Sequence, residues 1–173
     1  MLRHLLAAAA ATMTLGACAT MGAGPAGMAM DMTPEERSAY VAMAASSDMY
    51  EIQSSQMALT RAQNPMIRDF ANMMIQHHSQ TTQQLMAAAQ ASGTPPPPGT
   101  MMPMHAAMLQ ELSAANGMAF DRMYRRQQVM AHQQALALHS NYAARGDNPA
   151  LRQVAASATP IVRGHLDRIR GMR

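Results

Sequence analysis

The feature that most constrains this chain is a turn that occurs twice. Arg61-x-x-Asn64-Pro65-x-Ile67-Arg68-x-Phe70-Ala71 is matched by Arg145-x-x-Asn148-Pro149-x-Leu151-Arg152-x-Val154-Ala155. Asparagine caps a helix with its side chain, and proline suits the first helical position, where its missing N–H would have had no partner. Each Asn-Pro pair is flanked on both sides by long runs with apolar residues at three- and four-residue spacing. The repeat therefore predicts two helical hairpins, and two joined hairpins make an all-α four-helix bundle.

Composition agrees with that architecture. Alanine, methionine and glutamine dominate, aromatics are 3%, and tryptophan is absent, a mixture with high helix propensity and few residues suited to sheet. The first helix is expected to start at Thr33-Pro34-Glu35-Glu36, with Thr33 as N-cap and Glu36 closing a capping box, and to run to about Ala62. Its apolar face is expected to hold Val41, Ala44, Ile52, Leu59 and Ala62, with Asp48 and Ser55 on the same step and Glu51 beside it. The second helix continues from Asn64 to about Ser92. Gly93 to Met102 carries four prolines and predicts a stiff, extended crossover. A short extra helix over Met104 to Ala115 follows, then long helices from Met118 to Ala144 and from Asn148 onward, the last containing Pro160. The extra helix belongs to a Met/His cluster, Met101, Met102, Met104, His105 and Met108, which is either a soft-metal site or a cap packed over the bundle end.

The start of the chain reads as a secretory signal, residues 1–18: Arg3, an apolar segment from Leu5 to Leu15, then small residues. Leu15-Gly16-Ala17-Cys18 resembles a bacterial lipobox, which implies that Cys18 is lipidated and becomes the mature N-terminus. Cleavage after Ala19 is the alternative. The lipobox reading implies a protein held by a lipid anchor at the periplasmic face of the outer membrane; the other reading implies a soluble periplasmic protein. Residues 19–32 are rich in Gly, Ala and Met and predict a flexible tether before a bundle domain at 33–173. Met28, Met30 and Met32 in that tether form a thioether run suited to Cu(I). A net charge of +3, with no basic stripe interleaved with aromatics, speaks against nucleic-acid binding.

Candidate site residues come from helix geometry. Ile67, Ala71, Met74, His78, Thr81, Leu85 and Ala88 form one seam, so His78 points into the bundle, and His77 lies about 100° round the helix from it. Glu51 is 13 residues before Asn64 and His78 is 14 after it; His132 is 16 before Asn148 and His165 is 17 after it. Residues equally far from a hairpin turn lie at the same height, so each pair should be level. If both Asn-Pro turns lie at one end of the bundle, the pairs are offset by about 4.5 Å of helix rise. Glu51, His78, His132 and His165, with His77 as an extra ligand, would then converge on one layer. Tyr124 lies about two turns from His132, outside that layer. Such a layer could hold a metal, copper favoured and zinc or iron as rivals, or it could be a hydrogen-bonded polar layer.

Tyr50-Glu51-Ile52, Met74-Ile75-x-x-His78, Phe120-Asp121-x-x-Tyr124 with His132 eight residues on, and Pro160 followed by His165 together resemble the domain of unknown function family 4142. Membership implies a ferritin-like bundle in the bacterial envelope and no established reaction. Met74-Ile75-Gln76-His77-His78 is similar to a motif of the ferritin-like family 305, for which copper association is implied. The only glutamates are Glu35, Glu36, Glu51 and Glu111, and none has histidine three residues later, which speaks against a di-iron enzyme. The two functional readings are a metal-binding envelope lipoprotein and a non-catalytic structural or stress-related envelope protein. Neither names a protein partner.

Overall fold

The computed structural model describes residues 33–172. The expected signal, Cys18 and the 19–32 tether with Met28, Met30 and Met32 lie outside the described residues. Within them are five helices and no strand: α1 (Arg37–Arg61), α2 (Pro65–Ala91), α3 (Pro103–Ala114), α4 (Gly117–Arg145) and α5 (Pro149–Gly171). The fold is the all-α, ferritin-like bundle, with α1, α2, α4 and α5 as its long helices and α3 as the short helix of the crossover.

Both Asn-Pro turns work as caps. Asn64 Oδ1 accepts the N–H of Met66 at 2.9 Å, and Asn148 Oδ1 accepts that of Leu151 at 3.1 Å. The first helix starts differently from the expected capping box. Glu36 itself is the N-cap, its two carboxylate oxygens accepting from Ser38 N at 2.9 Å and Ala39 N at 2.8 Å. Those backbone bonds hold its carboxyl below the usual range. Thr33 instead presents its carbonyl to Asn141 at 2.6 Å. At the far end of α2, Gly93 adopts φ 64°, which lets Gly93 N–H reach Gln90 O and Thr94 N–H reach Ala89 O before the prolines begin. Pro160 stands inside α5, which runs unbroken through it.

The two turns lie at opposite ends of the bundle. Gln63 and Asn64 donate backbone N–H to Asp121, in the first turn of α4. Asp147, in the other turn, donates its N–H to Glu35 O at 2.9 Å and pairs with Arg37 at 3.3 Å, beside the start of α1. The crossover therefore carries the chain back along the full bundle, so that α1 and α5 run one way and α2 and α4 the other. α1 packs on α2 and α4, and α5 on α4 and α2. The site still forms because Glu51, His78 and His132 sit near the middles of their helices, where reversing one hairpin leaves the height unchanged, and His165, in the last third of α5, lies about as far past Asn148 as His132 lies before it.

Apolar packing is divided by that midplane. Ile67, Phe70, Met74, Phe120, Tyr124 and Ile169 fill the end nearer Asn64. Tyr40, Val41, Leu85, Leu138, Tyr142 and Leu151 fill the other, with the Tyr40 and Tyr142 rings stacked at 3.8 Å. The interior face of α1 is only partly the one its apolar residues suggest. Val41, Ala44, Ala62, Asp48 and Ser55 of the expected step are buried, but Ile52 and Leu59 are half-buried, while Ser47, Glu51 and Ser54 beside them are buried. The Met/His cluster is likewise not a cap over the bundle end. α3 lies along the side of the bundle against α1 and α4, where Met108 packs with Tyr50 and Ala131.

Candidate metal centre

Between the two apolar halves, three long helices each contribute one buried histidine. His78 of α2, His132 of α4 and His165 of α5 are 4%, 1% and 3% exposed. Their ring centroids are 5.3 to 5.8 Å apart, and each offers a ring nitrogen within 4.8 Å of the other two. Phe70 forms an apolar floor, its ring 6.2 Å from that of His132 and 6.4 Å from that of His165.

Each ring is oriented by its other nitrogen. His78 Nδ1 is 2.7 Å from Asp48 Oδ1, and the second oxygen of Asp48 accepts from Thr81 and Thr82 at 3.1 and 2.9 Å. This leaves His78 Nε2 buried with no hydrogen-bond partner. His132 Nδ1 donates to the carbonyl of Gln128, one turn back, at 2.8 Å, so its Nε2 carries the lone pair and faces His165 Nδ1 at 3.3 Å. His165 Nε2 lies 2.8 Å from Nδ1 of the half-buried His77, the two rings stacking at 5.1 Å. A chain of imidazoles thus runs from the centre of the bundle toward its surface.

Electrostatics divides the three rings. Burial pushes His78 down, but the hydrogen bond and charge of Asp48, helped by Glu51, outweigh it and raise its pKa. Burial lowers that of His132 against the pull of Glu51. His165 falls to about 2, because burial is reinforced by the neighbouring His78, His132 and His77. Two of the three rings are therefore neutral at pH 7, the state in which imidazole can donate a lone pair to a cation, and a cation that took the place of the proton on His78 Nε2 would complete the set.

Of the residues expected to converge, the three inward histidines meet, and His77 stands behind His165. Glu51 is buried at the same level but on the outer side of His132, Oε1 lying 3.5 Å from His132 Nδ1, and its Oε2 has no partner. Tyr124 is one layer away, its hydroxyl 2.8 Å from Ser55 Oγ. The residue that spacing put on the core step of α1 but not in the site is Asp48, which lies one turn before Glu51 and bonds His78. The available signal was its place three residues from Glu51 on a helix that pairs with the His78 seam.

The sequence profile of the family described as domain of unknown function (DUF4142) matches residues 22–172. The chain belongs to the DUF4142 family. No curated protein matches it. Among solved structures, this DUF4142 chain is similar to a DUF305 fragment from Deinococcus radiodurans, at 20% identity and TM-score 0.68, with 80% of this chain and 95% of the fragment covered. It is also similar to CopM in the Cu(II)-bound form, at 21% identity and TM-score 0.65, covering 78% of this chain and 93% of CopM. CopM in an Ag-bound form matches at 20% identity with the same TM-score and coverage. At such identities the likeness is one of fold. No described helix is long and apolar enough to cross a membrane.

Proposed function

We propose that this DUF4142 chain is an envelope lipoprotein that holds one metal ion, copper in preference to zinc or iron, in the layer formed by His78, His132 and His165. The observation that carries the reading is the buried, unpartnered Nε2 of His78, placed with nitrogens of two neutral imidazoles around a common point. Leaving a buried polar atom without a partner costs about 1–3 kcal/mol, and a cation in the layer would remove that cost. Asp48, bonded to the opposite nitrogen of the same ring, supplies the carboxylate that commonly orients a metal-binding histidine. Gln128 and His77 do the same for the other two rings. Glu51, with one free oxygen beside His132, supplies further negative charge near the cation.

An all-imidazole set suits copper, zinc, iron and nickel. Copper is favoured because the chain pairs these histidines with 21 methionines and because fold neighbours carry copper or silver. Enclosure of the three rings suits retention of an ion more than turnover of a substrate. Lipidation at Cys18 would place the domain on the periplasmic face of the outer membrane. A second reading has its own observation: the 3.3 Å and 2.8 Å contacts that join His132, His165 and His77 also describe a hydrogen-bonded layer. Metal analysis of the tag-free protein and of His78→Ala and His132→Ala separates the two. Metal lost in both variants supports the ion, whereas unchanged metal content with lowered stability supports the structural layer.

A further inference from the structure

The crossover brings a different donor set to the side of the bundle. A small, partly open cavity of about 10 Å³ is bounded by Met43 of α1, Met102 and Met104 and His105 of the crossover, and Gln134 and Leu138 of α4. That is room for one small ion or one water. His105 is 4% exposed, and its Nδ1 lies 2.7 Å from Ser46 Oγ. The same hydroxyl oxygen accepts the backbone N–H of Met102 at 2.8 Å, so one serine of α1 ties down both the histidine and the loop that carries the thioethers. With Nδ1 engaged, Nε2 is the His105 nitrogen outside that bond.

A further fact separates this cavity from ordinary packing. Gln134 donates to Met104 Sδ at 3.7 Å, yet its Oε1 is buried with no partner. Thioether sulfur with a single imidazole is a donor set for soft monovalent ions rather than for zinc or iron. We propose that the cavity lined by Met43, Met102, Met104 and His105 is a second metal site, selective for Cu(I) or Ag(I) and independent of the histidine layer.

The test is a titration of the full chain carrying Cys18→Ser, labelled with [methyl-13C]methionine, with Ag(I) as the probe. Single Met→Leu variants assign the methyl resonances. Those of Met43, Met102 and Met104 are expected to shift on silver addition, and Met102→Leu/Met104→Leu, which preserves side-chain volume, is expected to bind one silver fewer per chain. If these resonances stay still while other methionines respond, or if the double variant binds as much silver as the parent, the site does not exist. The same titration in His78→Ala distinguishes the two sites. Persistence of the shifts there supports independence even if the histidine layer proves to hold no metal; their loss overturns it.

Discussion

Asp48→Asn is the most informative single change, because the carboxylate does two things at once. Oδ1 accepts from His78 Nδ1 at 2.7 Å, and Oδ2 accepts from Thr81 and Thr82. An asparagine has one carbonyl and one amide group for these positions. If the amide turns toward His78, the ring must place its proton on Nε2, the nitrogen aimed at the other two rings, and the lone pair is lost. If the carbonyl keeps His78, the threonines lose their acceptor and the ring loses the anion that would balance a cation bound to Nε2. Either way the orienting partner is weakened. Removing such a partner costs about 10- to 100-fold in metal affinity, equivalent to about 1.4–2.8 kcal/mol. The assay is competition with a copper chelator of known affinity, run on tag-free protein at pH 7 beside a urea melt of the metal-free form. Affinity within twofold of the parent would refute the role given to Asp48.

Further changes test other parts of the account. Cys18→Ser should release the protein from the outer-membrane fraction or leave the precursor unprocessed; an unchanged membrane fraction would defeat lipidation. His139 is buried against the Tyr40 hydroxyl, and burial lowers its pKa to about 4. The unfolded chain therefore takes up the proton first, so the stability linked to His139 is complete above pH 6.5 and is lost as pH falls toward 4, by about 3 kcal/mol. Urea melts of His139→Gln should show a correspondingly shallower acid loss; an identical slope would contradict it. Gly146→Ala would place a Cβ 2.5 Å from the Tyr142 ring, which is stacked on Tyr40 and cannot swing away. A loss of about 1–3 kcal/mol is expected on thermal melting, and a neutral result would show that the turn can shift.

Much of this architecture could be read from residue order because caps are local. Asn64-Pro65 and Asn148-Pro149 mark both hairpins, and the His78 seam lies as its spacing predicts, since α2 is amphipathic in the ordinary sense. What could not be read was the relative direction of the hairpins. That depends on how far the crossover travels, and four prolines state its stiffness without its course. The interior of α1 was also obscured. Hydrophobic periodicity puts Ile52 and Leu59 inside with Val41, Ala44, Asp48 and Ser55, yet those two stay half-buried, and the helix buries more serines and carboxylates because the facing helices bring hydrogen-bond partners: Tyr124 for Ser55, Gln128 for Ser54, and His78 with two threonines for Asp48. A polar residue is stable inside when its partner lies on another helix, and that partner is invisible along one strand of sequence. The levelling of Glu51, His78, His132 and His165 could be counted, but not which side of His132 the glutamate would take.

The central claim is that three buried imidazoles hold an ion, and metal content is its most direct measure. Elemental analysis of the tag-free, Cys18→Ser chain, loaded with copper and then dialysed against a weak chelator, should find copper retained. His78→Ala and His132→Ala should each retain one copper per chain fewer than the parent, with zinc and iron displaced from the parent by copper. Copper retained equally by the parent and both variants, with only their melting temperatures lowered, would contradict the account and leave the histidines as a structural layer.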